Sequence, residues 1–268
     1  MRFITITSGK GGVGKSTLSA NISYLLSLYG YKVALFDADI GLANQDIILN
    51  VKPTHTILDV IKGDVAFEEI VIKLNNNFYF IPGENGEDIL RYKNSDLLEK
   101  FYEGIEAFKE ELDFLIIDTG AGIGESVQSF IKASTDTIVI TVPDPSAIMD
   151  AYSMIKYSAK VKEQIYLIVN RAKNKKEAQE IAAKLQNVAK KHLENIEVEF
   201  LGFVERSTLM EEASKRRELV VRDHKSSVVA LEIADIVKKL TNSLTKDGEH
   251  IKETPTIAVF FKRLLQNI

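Results

Sequence analysis

The stretch Gly9-Lys10-Gly11-Gly12-Val13-Gly14-Lys15-Ser16 decides the fold of this 268-residue chain. It matches the pattern G-x-x-x-x-G-K-[ST], a loop whose backbone amides surround the phosphates of a nucleotide. Residues 2–7 before it are a β-branched and aromatic run, typical of a buried strand. Residues 16–29 after it repeat apolar side chains at the spacing of an amphipathic helix. We therefore expect a nucleotide to bind at Gly9, Gly11, Gly12, Val13, Gly14, Lys15, Ser16 and Thr17.

Two lysines in this loop predict two different roles. Lys15 follows the last glycine, where a lysine reaches the β- and γ-phosphates. Lys10 lies inside the loop and is expected to point away from its own nucleotide. A lysine placed there is useful when the phosphates of another subunit come near. The pair predicts an ATPase that closes as a homodimer around ATP.

The composition limits the classes of protein to which the chain can belong. Its 45% hydrophobic and 27% charged residues are typical of a globular protein, and its net charge of −4 gives no reason to expect specific nucleic-acid binding. The absence of cysteine excludes disulfides and cysteine-ligated iron–sulfur clusters. Without a signal peptide or an apolar run of about 18 residues, we predict a cytoplasmic protein that has no spanning helix.

Strand-like apolar runs recur along the chain and are separated mostly by segments of helix length. This alternation predicts an α/β fold, a doubly wound and mostly parallel sheet flanked by helices. Ligands of such sheets bind beyond the carboxyl ends of the strands. About seven strands are predicted, at residues 2–7, 32–36, 78–82, 114–118, 137–142, 165–169 and 199–204.

Acidic residues follow two of these strands. Asp37 and Asp39 come just after residues 32–36, and we expect them to have different roles. Asp39 is the candidate for positioning the attacking water, and Asp37 for bracing the loop and the Mg²⁺ shell. The alternative for both is a strand-end turn with local hydrogen bonds.

A second acidic strand end predicts the rest of the metal site. Four apolar residues precede Asp118, the form of a Walker B motif. Its carboxylate would reach Mg²⁺ through a water, while Ser16 supplies a hydroxyl ligand. The three glycines at residues 120–124 predict either a loop that responds to the γ-phosphate or a tight turn.

Asn170 and Arg171 end the strand at residues 165–169 and lie on the same edge of the predicted sheet. The Asn170 amide could pair with the edge of adenine, and a solvated loop is the alternative. The basic stretches at residues 173–176 and 215–217 are interpreted as solvated surface, because no aromatic residues are interleaved.

The C-terminus predicts a separate element. Residues 1–244 would form the ATPase domain and the polar residues 245–256 a linker. Residues 257–268 would form an amphipathic helix, with basic residues beside a bulky apolar face, as in helices that lie in a membrane interface. The alternative is a final helix on the protein's own core. The candidate membrane residues are Phe260, Phe261, Lys262, Arg263, Leu264, Leu265 and Ile268.

The signature loop and the segment Asp37-Ala38-Asp39-Ile40-Gly41-Leu42-Ala43-Asn44 resemble those of the MinD/ParA group of deviant Walker ATPases. The resemblance covers nearly the whole chain and implies ATP or ADP and Mg²⁺ as cofactors. It also implies that Lys10 acts across an ATP-sandwich dimer, Lys15 holds phosphates in its own subunit and Asp39 serves the attacking water.

Within this group, the phrases at residues 118–123, 143–148 and 150–156 resemble the FlhG type, which regulates the number and placement of flagella. This resemblance implies peripheral binding to the cytoplasmic face of the inner membrane in the ATP state. It also implies an FlhF-type GTPase and flagellar switch components as partners. Many FlhG-type proteins carry an N-terminal extension that stimulates FlhF, whereas the first strand here begins at Arg2, so the resemblance gives no support for stimulation by that route.

Two related functions remain as alternatives. A MinD-type ATPase of division-site selection would use the same chemistry with other partners. A ParA-type DNA-partition ATPase would need a basic surface, for which this mildly acidic chain gives less support.

Overall fold

A mostly parallel β-sheet is the centre of the molecule. The computed structural model describes residues 1–39, 44–83, 103, 112–194, 196–247 and 256–267. The strands in these residues are β1 (Arg2–Ser8), β2 (Val33–Ala38), β3 (Ile72–Lys73), β4 (Phe78–Ile81), β5 (Phe114–Ala121), β6 (Asp136–Thr141), β7 (Gln164–Ala172) and β8 (Glu197–Glu205). They are arranged in the order β3-β4-β2-β5-β1-β6-β7-β8.

All neighbouring strands pair in parallel except β3 and β4, which are antiparallel. The structure confirms the α/β fold and each of the seven predicted strands. It adds β3, which has only two residues and therefore shows no recognisable alternation in the sequence.

Helices connect the strands. The predicted helix at residues 16–29 is present as α1 and begins one residue earlier, at Lys15. The described helices are α1 (Lys15–Leu28), α2 (Gln45–Leu49), α3 (Ile57–Lys62), α4 (Phe67–Ile70), α5 (Glu125–Ala133), α6 (Pro145–Ser158), α7 (Lys175–His192), α8 (Thr208–Arg216), α9 (Val220–Asp223), α10 (Val228–Asp247) and α11 (Ile257–Asn267).

Alternate residues of the central strands contribute to different hydrophobic clusters. In β1, Ile4 and Ile6 pack in one cluster with Leu18 of α1. Phe3, whose side chain lies on the opposite face of the strand from that of Ile4, packs in a second cluster with Phe36 of β2. Because both sides of these strands are buried, the strands contain long apolar runs, and their ends are the places where polar side chains can collect.

The C-terminal part differs from the predicted boundaries. Helix α10 continues to Asp247, so the first three residues of the predicted linker, 245–247, are helical. Residues 248–255 lie outside the described part of the chain. The predicted amphipathic helix is present as α11, which begins at Ile257.

The apolar face of α11 packs against the protein. Ile257, Phe260, Phe261 and Leu264 are buried in the second cluster, while Lys262 and Arg263 are exposed. The structure thus has the alternative arrangement, a helix on the core, and binding of this face to lipid stays a prediction. The side chain of Leu265 and residue Ile268 lie outside the described part.

Aromatic side chains from distant parts of the sequence explain this packing. The ring centroid of Phe260 lies 5.2 Å from that of Phe3, and the centroid of Phe261 lies 5.5 Å from that of Phe36. Phe67 of α4 is 6.4 Å from Phe261. Ring pairs at these distances add to the free energy gained by burying the apolar surface.

None of the described helices is both long and apolar enough to cross a bilayer.

Candidate nucleotide-binding site

The glycine-rich loop joins β1, at the centre of the sheet, to the N-terminus of α1. Gly14 is the N-cap of α1 and has a φ of 89°, in the left-handed region where glycine is favoured. A Cβ at Gly14 would lie 2.4 Å from the side-chain nitrogen of Asn170. No side chain caps this helix end, so its first amides are left available, as phosphate binding requires.

A second close approach fixes the other end of the loop. A Cβ at Gly9 would lie 2.4 Å from the backbone oxygen of Asp150 in α6. The loop is therefore held between α6 on one side and the end of β7 on the other, and its shape depends on glycine at both places.

The ammonium group of Lys15 is buried and bonded to the Walker B carboxylate. Its Nζ lies 2.9 Å from Oδ1 of Asp118, an oxygen that also accepts a hydrogen bond of 3.0 Å from the Ser19 hydroxyl. Asp118 is fully buried. Since a buried charge requires a partner, Lys15 and Asp118 neutralise each other. The structure thus brings together the two residues predicted for phosphate and metal binding.

Asp37 braces the chain after β2. Its carboxylate accepts hydrogen bonds from the backbone amides of Asp39, Asn44 and Gln45, at 3.3, 3.0 and 2.9 Å. Burial raises the pKa of Asp37 to about 7, and the neighbouring charge of Asp118 acts in the same direction, whereas the three amides lower it. The geometry fits the predicted bracing role. A cation near Asp37 and Asp118 would relieve their repulsion.

Asp39 lies beside the loop that follows the Walker B strand. Its Oδ1 is 3.1 Å from the position of a Cβ on Gly120. Burial raises the pKa of Asp39, and the charge of Lys15 opposes that effect. The charges of Asp39 and Lys15 therefore influence each other, as expected of two residues that serve one nucleotide. Its role with the attacking water stays a prediction.

Gln45, which the sequence did not single out, completes this side of the site. It is fully buried at the start of α2, and its Nε2 donates to Oδ2 of Asp118 at 2.8 Å and to the backbone oxygen of Ser16 at 2.9 Å. The sequence gives no signal for it, since a glutamine at a helix start is ordinarily exposed.

Lys10 is bound within its own subunit. Its Nζ lies 3.1 Å from Oδ1 of Asp144 and 2.6 Å from the hydroxyl of Ser146, at the N-terminus of α6. The side chain is therefore held at the start of α6, and its role at a partner's nucleotide stays a prediction.

Asn170 and Arg171 adjoin the loop. The Asn170 amide donates to the backbone oxygen of Val13 at 2.7 Å, and its Oδ1 accepts from the Arg171 amide at 2.9 Å. Arg171 has a positive φ of 56° and lies where the register of β7 and β8 shifts. Asn170 thus positions the loop in this structure, and its pairing with adenine stays a prediction.

A cavity of about 310 Å³ opens beside Asn170, next to the phosphate loop. Its position and its mixture of polar and apolar residues fit a nucleoside. It is lined by Gly14, Thr17, Asn170, Arg171, Glu205, Arg206, Ser207, Met210, Glu211, Ser214 and Lys215. Lys215, interpreted from the sequence as solvated surface, is exposed but belongs to this lining.

The residues also fit a Mg²⁺ ion that is held partly by the nucleotide. No group of three or more His, Cys, Asp or Glu side chains suited to a metal occurs in the described part of the chain. Mg²⁺ in nucleotide sites keeps several waters and needs only one or two protein carboxylates. Ser16, Asp37 and Asp118 would hold the ion and its waters, and buried oxygens of Asn44 and Gln45 have no partner among the described residues.

Comparisons with known proteins agree with this site. A family model described as ParA, NUBPL iron-transfer P-loop NTPase, matches residues 1–241. This chain has no cysteine that could ligate iron. The flagellum site-determining protein YlxH of Helicobacter pylori is 40% identical over 266 residues, which cover 99% of this chain and 90% of that protein. The antiactivator FleN of Pseudomonas aeruginosa is 28% identical over 242 residues, which cover 90% of this chain and 86% of that protein.

A solved structure shows the same fold. The septum site-determining protein MinD of Pyrococcus horikoshii, in complex with Mg-ADP, superposes with a TM-score of 0.71 at 25% identity, covering 91% of this chain and 97% of that one. The chain therefore belongs to the ParA/MinD family of P-loop ATPases, whose cofactors are ATP and Mg²⁺.

Proposed function

We propose that this chain is an ATP-dependent, dimerising ATPase that cycles onto the membrane surface and regulates the number and placement of flagella. The observation that carries the flagellar part is the 40% identity to a flagellum site-determining protein, which extends over 99% of this chain. The match to the antiactivator FleN supports the same reading.

In the proposed cycle, ATP binding assembles the active site from two subunits. Lys15 holds the phosphates in its own subunit, and Ser16, Asp37 and Asp118 hold Mg²⁺ and its waters. Lys10 leaves Asp144 and reaches the phosphates bound to the partner, while Asp39 positions the attacking water. The nucleoside occupies the cavity beside Asn170 and Arg171.

Membrane binding requires α11 to leave the core. In the structure, the residues that would enter lipid, among them Phe260, Phe261 and Leu264, are buried. Phe261 contacts Phe36, which directly precedes Asp37. Helix α11 also packs against α5, which follows the loop at residues 120–124. The docking site of α11 is thus built on elements that end at the nucleotide site. Two released helices in one dimer would bind lipid more tightly than one.

An FlhF-type GTPase and components of the flagellar switch are the partners that we propose for the flagellar role. Division-site selection is the second candidate, and the likeness to MinD of Pyrococcus horikoshii favours it. The two functions share the ATPase chemistry and differ in partners, so a cellular experiment has to separate them.

The cellular test is microscopy of a deletion strain complemented with the wild-type gene or with Lys15→Ala. Altered flagellar number or placement with normal division, restored by wild type and not by Lys15→Ala, is the expected result. Minicells with normal flagella would assign the protein to division-site selection.

The membrane test is co-sedimentation with vesicles of phosphatidylethanolamine and phosphatidylglycerol. We expect binding with a non-hydrolysable ATP analogue and much weaker binding with ADP. A chain that ends at residue 256 serves as the control for α11. Equal binding in both nucleotide states would contradict the proposed membrane cycle and leave the ATPase assignment unaffected.

A further inference from the structure

Gln45 connects three separate parts of the nucleotide site. Its backbone amide donates to Oδ2 of Asp37 at the end of β2, at 2.9 Å. Its side-chain amide donates to the backbone oxygen of Ser16 at 2.9 Å and to Oδ2 of Asp118 at 2.8 Å. One residue at the start of α2 therefore bonds to each of the three positions that are expected to hold Mg²⁺ and its waters.

Space filling does not explain this side chain. Gln45 is fully buried, both of its side-chain N–H groups are used, and its Oε1 has no partner among the described residues. An unsatisfied buried acceptor destabilises a fold, so the two hydrogen bonds that Nε2 donates come with a penalty at Oε1. The adjacent Asn44 leaves its Oδ1 in the same condition. Two neighbouring residues thus have buried acceptors that lack donors, as expected where bound groups supply the hydrogen bonds.

The hydrogen bonds of Asp118 indicate what Gln45 does when a nucleotide binds. Oδ1 accepts from Lys15 and Ser19, and Oδ2 accepts from Gln45. Lys15 is needed at the phosphates, so its bond to Asp118 has to weaken in the loaded state. Ser19 and Gln45 are then the described side chains that keep the carboxylate in a fixed orientation. An outer partner of this kind commonly determines how well a metal site binds its ion.

We propose that Gln45 is a positioning residue for the magnesium side of the site: its amide orients Asp118, and its Oε1 accepts a hydrogen bond from water bound to Mg²⁺. This role also ties α2 to the presence of the ion, because the same residue begins that helix. The inference rests on the ATPase activity and is independent of whether the protein acts on flagella.

The test compares the Mg²⁺ dependence of nucleotide binding in wild type and in Gln45→Leu, using a fluorescent ADP analogue and the full chain. Without Mg²⁺ in EDTA, we expect both proteins to bind the analogue with similar affinity. The Mg²⁺ concentration that gives half of the metal-dependent increase in affinity should rise about tenfold in Gln45→Leu. An unchanged Mg²⁺ midpoint would overturn the proposal, even if the variant were less stable.

Gln186→Leu is the matched control. Gln186 in α7 also donates from Nε2 to a backbone oxygen, that of Val198 in β8, at 2.8 Å. It has no contact with the residues expected to hold Mg²⁺ among those that the structure describes. Its Mg²⁺ midpoint should equal that of wild type. A shift in the control as large as that in Gln45→Leu would show that the effect is a general loss of stability and would overturn the proposal.

Gln45→Glu decides the question if Gln45→Leu does not fold. It keeps the acceptor oxygens, loses the donor and adds a charge beside Asp37 and Asp118. We expect Mg²⁺ with ADP to raise the thermal midpoint of this variant more than that of wild type, because the ion would offset the added repulsion. An equal rise in both proteins would overturn the proposal. Failure of wild type to bind the analogue at all would contradict the ATPase assignment instead.

Discussion

Lys10 and Asp144 form an ion pair within one subunit, with 3.1 Å between Nζ and Oδ1. Hydrogen bonds from Ser146, from the backbone amide of Ala147 and from Lys10 hold the pKa of Asp144 well below its usual range. The lysine that is expected to act on a partner's nucleotide is therefore held by its own chain, and both members of the pair are substantially exposed.

Asp144→Asn tests whether this pair opposes dimerisation. Asparagine can still cap α6, as Asp144 does by accepting from the Ala147 amide, but it carries no charge to hold Lys10. With a non-hydrolysable ATP analogue, we expect the protein concentration at which half of the chains are dimeric to fall a few-fold. Sedimentation velocity measures this concentration. The effect is modest because exposed ion pairs are weak.

Glu194→Gln is the control for net charge, since Glu194 is exposed just after α7 and forms no described contact with Lys10. It should dimerise as wild type does. If Asp144→Asn dimerises less readily than wild type, the carboxylate contributes to the dimer and does not restrain Lys10.

Lys15→Ala and Asp39→Ala separate nucleotide binding from hydrolysis. Lys15→Ala should lose nucleotide binding, and it should also lower the free energy of unfolding, because the buried carboxylate of Asp118 loses its partner. Asp39→Ala should bind ATP, stay dimeric and remain on vesicles, with phosphate release slowed by about a hundredfold or more. Fluorescent nucleotide titration and a phosphate-release assay measure the two properties. Normal hydrolysis by Asp39→Ala would show that another residue positions the water.

The phosphate loop and the strand ends could be predicted because their signals are local. Gly9 and Gly14 belong to one short pattern, and Asp37 and Asp118 each follow an apolar run whose end is visible in the sequence. Parallel topology then brings those ends to one edge of the sheet. The contact of Lys15 with Asp118 follows from this rule, although the two residues are far apart in the chain.

The docking of α11 could not be predicted in the same way. A periodic apolar face is the same in a helix that lies on lipid and in one that packs on a core, so periodicity does not select between them. The choice depends on Phe3, Phe36 and Phe67, which are distant in sequence and meet only in the folded chain. Gln45 could not be predicted for the same reason, since its hydrogen bonds to Ser16 and Asp118 join residues that are distant in sequence.

Lys162 predicts a pH dependence of stability. Burial lowers the pKa of this lysine from 10.5 to about 8, and the charge of Arg263 adds to that effect while Asp136 opposes it. The ammonium group donates to the backbone oxygen of Ser134. Between pH 8 and 10.5 the unfolded chain holds one more proton at this group than the folded chain does. The free energy of unfolding therefore rises with pH in that interval, by up to about 1.4 kcal/mol per pH unit.

Lys162→Met should remove this rise in the free energy of unfolding between pH 8 and 10.5. Lys156 is exposed, so Lys156→Met should leave the rise unchanged. Urea denaturation at several pH values between 7 and 10.5 measures the slope for each protein. The same slope in wild type and Lys162→Met would show that Lys162 keeps an ordinary pKa in the folded protein.

Phe260→Ala tests whether α11 is part of the folded core. Phe260 is fully buried and packs against Phe3, so its truncation should lower the free energy of unfolding by about 3–5 kcal/mol. Lys262→Ala, on the exposed side of the same helix, should change it little. Urea denaturation without nucleotide or vesicles gives both values. If Phe260→Ala were as stable as wild type, α11 would not be docked in solution.

Phe67→Leu tests whether docking of α11 competes with membrane binding. Phe67 lies in α4, is fully buried and contacts Phe261, so leucine removes a ring contact to α11 while leaving every residue of α11 unchanged. If the core and the membrane compete for the same apolar face, a weaker core site shifts the helix towards lipid. In the ADP state, Phe67→Leu should therefore bind phosphatidylglycerol vesicles more strongly than wild type does. Leu58→Met is the control, a volume-conserving change at a buried residue of α3, and it should have less effect on vesicle binding. Equal binding by Phe67→Leu and wild type would show that packing against Phe67 does not restrain α11, and the restraint would then have to come from the contacts with Phe3 and Phe36.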